Sequence, residues 1–298
     1  MRTIAQIHSA TRFNTDKENM ELFRVIGSKD INGHGVEHSI HDIDPFIFLD
    51  DVMMEGEVPT SFNKHPHTGL AAVSYLLEGT GHAWDNINGA TPDLNRAGGV
   101  YYINAGKGIV HGEAPIEGMR KLRLLQLWFN PGIYDHPLPQ ANYQLFQPHE
   151  LPVYEDDTLW AKMIIGTGFG CTSPVKSPWP IQYGHIKLAA QQHCSIKIPA
   201  ADWQGFIYII HGSGEFGSNK VRGTDQQCLI LGSESNDSIT IENLNHFPLE
   251  FIVATGKTHH KPFVKLLGHG GAIVADTEKQ ARDDMHQYEM DPDNFGRS

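Results

Sequence analysis

The stretch "YLLEGTG", residues 75–81, decides the fold, because it returns as "YIIHGSG" at 208–214. Each copy is a run of Tyr and long aliphatic residues that ends in Gly, a hydroxyl residue and Gly. That is the signature of a strand entering a tight turn. The copies are offset by 208 − 75 = 133 positions in a chain of 298 residues, close to half its length. The strand-like runs around each copy come in a similar order, so the spacing predicts two β-domains of like topology.

Working outward, the runs "FIFLDDV", "LAAVSYLLEG", "VYYINA", "KLRLLQLWFN", "IQYGHIKLA", "CSIKIP", "FIYIIHG", "QCLILG", "SITIEN" and "LEFIVAT" are short and rich in branched and aromatic residues. Gly, Pro, Asn or Asp bounds them, as expected of strands. No helix-length amphipathic segment alternates with them, which disfavours a parallel α/β sheet and predicts an all-β chain. The exception closes the sequence. In "DTEKQARDDMHQYEM" (276–290), Asp276 or Thr277 is the N-cap and Gln280 stands in capping-box position. Ala281, Met285 and Tyr288 form one apolar stripe. The Pro-rich, aperiodic "HPLPQANYQLFQPHELPVYEDD" (136–157) reads as a linker or covering loop. The expected domains are therefore 1–145 and 160–298, the second including the helix.

Composition narrows the function. Lys and Arg number 23 against 35 Asp and Glu, a net charge of −12. Such a chain repels phosphate backbones, and no basic run offsets that, so direct nucleic-acid binding is not expected. The apolar stretches are strand-length and too short to cross a bilayer as helices. "MRTIAQIHSATRF" has no apolar signal region, and three scattered cysteines (Cys171, Cys194, Cys228) suit reduced thiols. A cytoplasmic protein is expected, with no membrane partner.

Two pairs carry the chemistry. "FNKHPHTGL" (62–70) sets His65 and His67 two apart, and "GKGIVHGEA" (106–114) does the same with His111 and Glu113. With 18 histidines in 298 residues, chance alone supplies roughly one H-x-H, so spacing by itself proves nothing. Context adds weight, since each pair adjoins a strand-like run and side chains at i and i+2 of a strand share a face. If the two segments neighbour each other in one barrel, three imidazoles and one carboxylate converge. The second half is an internal control. The 133-residue offset puts His65 on Ile198 and His67 on Ala200, and "SITIENLN" contains no histidine. The expectation is one site, in the N-terminal half.

These motifs resemble the pirin family, a branch of the cupins. The resemblance lies in "DIDPFIFLDDV" (42–52), "KHPHTGLAAVSYLLEGTGHAWDN" (64–86), "NAGKGIVHGEAP" (104–115) and "LQLWFN" (125–130). It extends more weakly through "GTGFGCTSPVKSP" (166–178) to the tail "KPFVKL…YEMDPDNFGRS". It implies two cupin-type β-barrels, a bicupin, with one metal in the N-terminal barrel held by His65, His67, His111 and Glu113. The chain departs from the family pattern at Ala71, where most relatives carry Glu, and at Lys107 and Gly112, where they favour Arg and Ser.

Family members usually hold iron, and Fe(II) is the expected ion. Three nitrogens and a carboxylate also suit Mn, Ni, Co or Cu, and Zn binds such donors too, while the lack of thiolate disfavours a structural zinc. A six-coordinate ion would leave two positions open, and Glu113 doubles as a candidate catalytic base. The resemblance implies cleavage of flavonols such as quercetin by O2. The alternative it implies is a non-catalytic, redox-responsive regulator that binds a transcription factor or metabolic enzyme. Other features read more plainly. His82 is taken as an exposed turn residue, Trp84 as packing, Lys107 as a solvated turn lysine and "GTGFG" (166–170) as a turn. His34, His38 and His41 read as surface or pocket-rim residues. "GHGG" (268–271) suggests an oxyanion loop, but no G-x-S-x-G supplies a nucleophile, which excludes hydrolase chemistry.

Overall fold

The structure is a computed structural model that describes residues 1–14, 19–27, 43–56, 64–91, 93–133, 137–234 and 237–297. His34, His38 and His41 lie outside the described residues. The two echoed segments fold alike. Strand Ala71–Glu78 turns through Gly79 (φ 94°) into Thr80–Asp85, and Trp203–His211 turns through Gly212 (φ 99°) into Ser213–Phe216. A Cβ on Gly79 would also meet the Lys121 carbonyl oxygen at 2.7 Å. Left-handed backbone and close approach both require glycine there.

Around these strands the hydrogen-bonded order is the same twice. In one sheet Ala71–Glu78 lies between Val100–Asn104 and Lys121–Phe129, followed outward by Phe46–Glu55 and Met20–Ile26. In the other, Trp203–His211 lies between Gln227–Leu231 and Leu249–Lys257, followed by Ile181–Leu188 and Leu159–Ile165. The described residues are mostly strand with one helix, the expected all-β class, and the sheets stay open rather than closing into complete hydrogen-bonded barrels. The run 136–157 contains two strands, Asn142–Phe146 and Val153–Glu155. The first pairs with Val100–Asn104 and the second with Leu159–Ile165. Edge strands paired on one side only need little apolar periodicity, so the sequence pattern conceals them.

The chain divides into two units: residues 12–41, 47–148 and 260–298 in one, and residues 1–11, 42–46 and 149–259 in the other. Both ends thus depart from the contiguous domains expected at 1–145 and 160–298. Strand Ile4–Ser9 pairs with Gln227–Leu231. Arg2, fully buried, donates to the carbonyl oxygens of Trp203 (2.6 Å), Ala200 (3.1 Å), Ala201 (3.2 Å) and Gly232 (3.3 Å). The C-terminal strand Gly271–Ala275 pairs in parallel with His65–Thr68. The helix Glu278–Met290, capped by Thr277 with its hydroxyl accepting from the Gln280 N–H at 3.2 Å, packs in the same unit. Its Ala281 and Met285 are buried with Val110, Ile273 and Ala275, and Tyr288 packs at the edge of that cluster. Burying the methionine alone stabilises by about 2 kcal/mol. Pairings between chain ends are non-local, and no periodicity within a segment encodes its distant partner.

The core of the second unit is aliphatic, with Ile196, Ile198, Ile239 and Ile241 among its buried members. All three cysteines are free, and burial pushes the Cys194 thiol up to about 12.

Two substitutions test the exchanged ends. Arg2→Met leaves four carbonyl acceptors without their donor, and should lower the Tm by about 5 °C with metal content unchanged by elemental analysis. Gly271→Ala would place a Cβ 1.9 Å from the Pro66 carbonyl oxygen. It should lower metal content as well as Tm, because that contact lies in the strand pair that orients His67.

Candidate metal centre

Strand His65–Thr68 is held between two partners. The antiparallel strand Ile109–Pro115 sets His111 opposite His65 and Ile109 opposite His67, while the parallel strand Gly271–Ala275 sets Ala272 opposite His67. Alternation puts His65 and His67 on one face and His111 and Glu113 on one face. The histidine rings meet, with centroids 4.8 Å apart for His65–His67, 4.4 Å for His65–His111 and 5.0 Å for His67–His111. Their donor nitrogens all lie within 4.8 Å of one another.

His67 and His111 are buried and His65 is half-buried. Burial, followed by the neighbouring histidine charges, drives His67 and His111 well below the ordinary imidazole range. Both are therefore neutral and able to offer lone pairs. Ala272 brings its N–H (3.2 Å) and its carbonyl oxygen (3.3 Å) to His67 Nδ1. The tautomer with a proton on Nδ1 donates to that carbonyl and frees Nε2 for a ligand. Nε2 of His67 and both ring nitrogens of His111 are buried without a hydrogen-bond partner. Each orphaned polar atom costs about 1–3 kcal/mol, a cost that a shared cation at the triad would remove for one nitrogen of each ring. On that observation the residues fit a metal ion.

Glu113 is the member of the expected set that the structure does not gather with the histidine nitrogens. Its Oε1 accepts from Ser74 Oγ at 2.5 Å. Burial raises its carboxyl to about 7, against the lowering effect of the Ser74 hydrogen bond. Ser74 Oγ also lies 2.8 Å from the Gln126 side-chain oxygen position. One hydroxyl hydrogen serves one acceptor, so the chain closes with the Gln126 amide turned to donate its N–H to Ser74.

His65, His111 and Glu113 face a cavity of about 400 Å³. Phe48 and Trp128 stack in its wall at 3.9 Å and 15°, and Trp128 stands edge-on to His67 at 4.9 Å. Arg24 lies over Phe48 at 4.4 Å and grips Asp50 through Nε and Nη2. Burial raises the Asp50 carboxyl, and Arg24 opposes it. Met20, Leu22, Val52, Leu124 and Leu267 supply apolar surface. Ala71 is fully buried and does not line the cavity. Ser74, Gln126, Arg24 and Asp50 escaped the sequence reading. For Ser74, Gln126 and Arg24 the signal was a lone polar residue within an apolar run, as in "LAAVSYLL" and "LLQLWF". Trp84 packs partly buried beside Val110 under the Lys64 ammonium (3.7 Å), and His82 is exposed, as expected.

The Pirin family model matches residues 26–129, the stretch that carries both histidine motifs. A pirin-like protein of Solanum lycopersicum is 29% identical over 260 residues, covering 87% of this chain and 85% of the relative. Pirin of Homo sapiens is 29% identical over 242 residues, 80% of each. The matched Pirin domain and these relatives support membership of the pirin family. Among solved structures, a quercetin 2,3-dioxygenase from Acinetobacter baumannii superimposes with a TM-score of 0.81 at 17% identity, over 98% of this chain and 99% of that one. The bacterial pirin YhhW from Escherichia coli, in complex with nickel(II), gives 0.64 at 17% identity, over 85% and 99%. At these identities the likeness establishes the shared bicupin fold. Among the described residues no helix is long and apolar enough to cross a membrane.

Elemental analysis of purified protein should find one ion per chain in the wild type. His67→Ala or His111→Ala should weaken metal binding more than the 10–100-fold typical of outer-shell partners, with far-UV circular dichroism unchanged.

Proposed function

We propose that this protein is a metal-dependent dioxygenase of the quercetinase type, acting on a flavonol-like substrate with O2. The observation that carries the reading is the convergence of three imidazoles, with His67 and His111 neutral and holding orphaned nitrogens, beside a cavity that also has a half-buried carboxyl and an aromatic wall. His65, His67 and His111 would hold the ion, with Fe(II) the expected species. Glu113 Oε1 is engaged by Ser74, which leaves Oε2 to complete the ligand set or to take a proton. When bound, a redox-active divalent ion supplies Lewis acidity and electron exchange with dioxygen.

The chain's own groups account for the rest. Glu113, with its carboxyl near 7, is matched to accept the proton of an enolic hydroxyl at neutral pH. The Ser74–Gln126 chain fixes the orientation of that carboxylate. Phe48, Trp128 and the aliphatic wall exclude water and favour a flat aromatic ligand. The fold shared with the A. baumannii quercetin 2,3-dioxygenase supports the choice of substrate class.

Apoprotein reconstituted separately with Fe(II), Mn, Ni, Co and Cu should consume O2 with at least one member of a flavonol panel. Glu113→Gln should lower kcat by about 100-fold or more. Silence of every metal form across the panel would overturn the enzymatic reading in favour of a metal-binding regulator.

A further inference from the structure

The "GHGG" turn (268–271) has no part in the scheme above, yet it forms part of the cavity wall. It joins strands Val264–Gly268 and Gly271–Ala275, and His269 lines the cavity together with its three glycine neighbours. The turn sits against the histidine strand. A Cβ on Gly270 would lie 3.6 Å from His65 Cβ, and one on Gly271 would strike the Pro66 carbonyl. His269 is thus carried by the same backbone that aligns His65 and His67.

Three features of this turn and its helix partner do little for stability or run against it. His269 is a non-glycine residue at φ 53°, a left-handed conformation disfavoured by its Cβ. Its Nε2 lies 3.1 Å from Glu289 Oε1, and both side chains are about half exposed, at 48% and 49%. Exposed pairs of this kind add little to folding. Glu289 stands in the last turn of the helix Glu278–Met290, where no basic residue is present, and a carboxylate there opposes the helix dipole. Strained and locally unfavourable choices concentrate at functional sites.

The hydrogen-bond chemistry indicates what the pair does. An ionised carboxylate only accepts, so His269 Nε2–H donates to Glu289. In the neutral ring this leaves Nδ1 as an acceptor, and the edge-on contact with Tyr288 (5.2 Å) buttresses the imidazole. We infer that His269, oriented by Glu289, accepts a hydrogen bond from a phenolic hydroxyl of the ligand and so discriminates a free hydroxyl from its methyl ether. His269 is then a specificity-determining residue and Glu289 its positioning residue. The inference rests on the reading of this cavity as a flavonol site.

The test uses full-length, metal-loaded wild type with His269→Ala, His269→Gln, Glu289→Gln and, as a control on the same helix, Lys279→Ala. Metal content and Tm should be equal across the set. Binding of one flavonol and each of its mono-O-methyl ethers is followed anaerobically by tryptophan fluorescence, and O2 consumption is followed in parallel. In the wild type at least one ether should bind about fivefold to tenfold more weakly than the parent, the worth of one hydrogen bond. His269→Ala should weaken the parent alone and abolish the difference, His269→Gln should restore part of it, and Glu289→Gln should fall between. KM should follow the same ratios, with kcat within about twofold of wild type.

Discrimination that is missing from the wild type, or that survives His269→Ala, overturns the inference while any turnover leaves the dioxygenase reading standing. Discrimination by His269 without turnover overturns the dioxygenase reading and upholds the inference. Absence of both binding and turnover overturns the two together.

Discussion

The register of three strands around His65–Thr68 is the constraint on which the site depends. On one side the antiparallel pairing places His111 opposite His65, and on the other the parallel pairing places the Ala272 backbone against His67. Strand side chains alternate, so a slip of one residue in either ladder would turn an imidazole away from the others. The glycine turn at 268–271 keeps the third strand within reach, and the buried face of the C-terminal helix holds that strand in place.

The second unit shows what the same topology does without that chemistry. Gly81 pairs with Pro115, and Gly214, its counterpart in the echoed motif, pairs with Asn243. Counting along the ladders from there sets His111 and Glu113 against Ile239 and Ile241, and His65 and His67 against Ile196 and Ile198. All four isoleucines are buried in an aliphatic core. The ladder thus moves the counterparts two residues from the Ile198 and Ala200 reached by the constant offset, because the spacing between the repeats is not uniform. Folding alone is served by isoleucine at these positions. Two buried imidazoles with unsatisfied nitrogens, His67 and His111, beside a half-buried third are a departure from that solution, and ligand binding is what accounts for it.

The polar groups around the triad form a graded environment. His65, His111, Glu113 with its carboxyl near 7, Gln126 and the Arg24–Asp50 pair stacked on Phe48 border the same cavity, and His67 and Ser74 touch these residues. Glu113, Gln126 and Arg24 each have a polar partner there, Ser74 for the first two and Asp50 for the third, whereas the buried nitrogens of His111 have none. The site is therefore a property of the whole barrel wall rather than of two short motifs.

The repeat was read from its offset and the histidine set from the family resemblance, whereas local patterning was enough to indicate the all-β class and the capped helix, since each depends on residues a few positions apart. The Arg24–Asp50 pair, the Ser74–Gln126 chain and the cavity wall at His269 were beyond its reach, because they join segments between about 20 and 200 residues apart. The exchange of the chain ends between the units was hidden for the same reason. Side-chain chemistry along the sequence determined which atoms could bind a cation. Strand pairing in three dimensions decided which of them meet, and Glu113, taken up by Ser74, is where those two answers part.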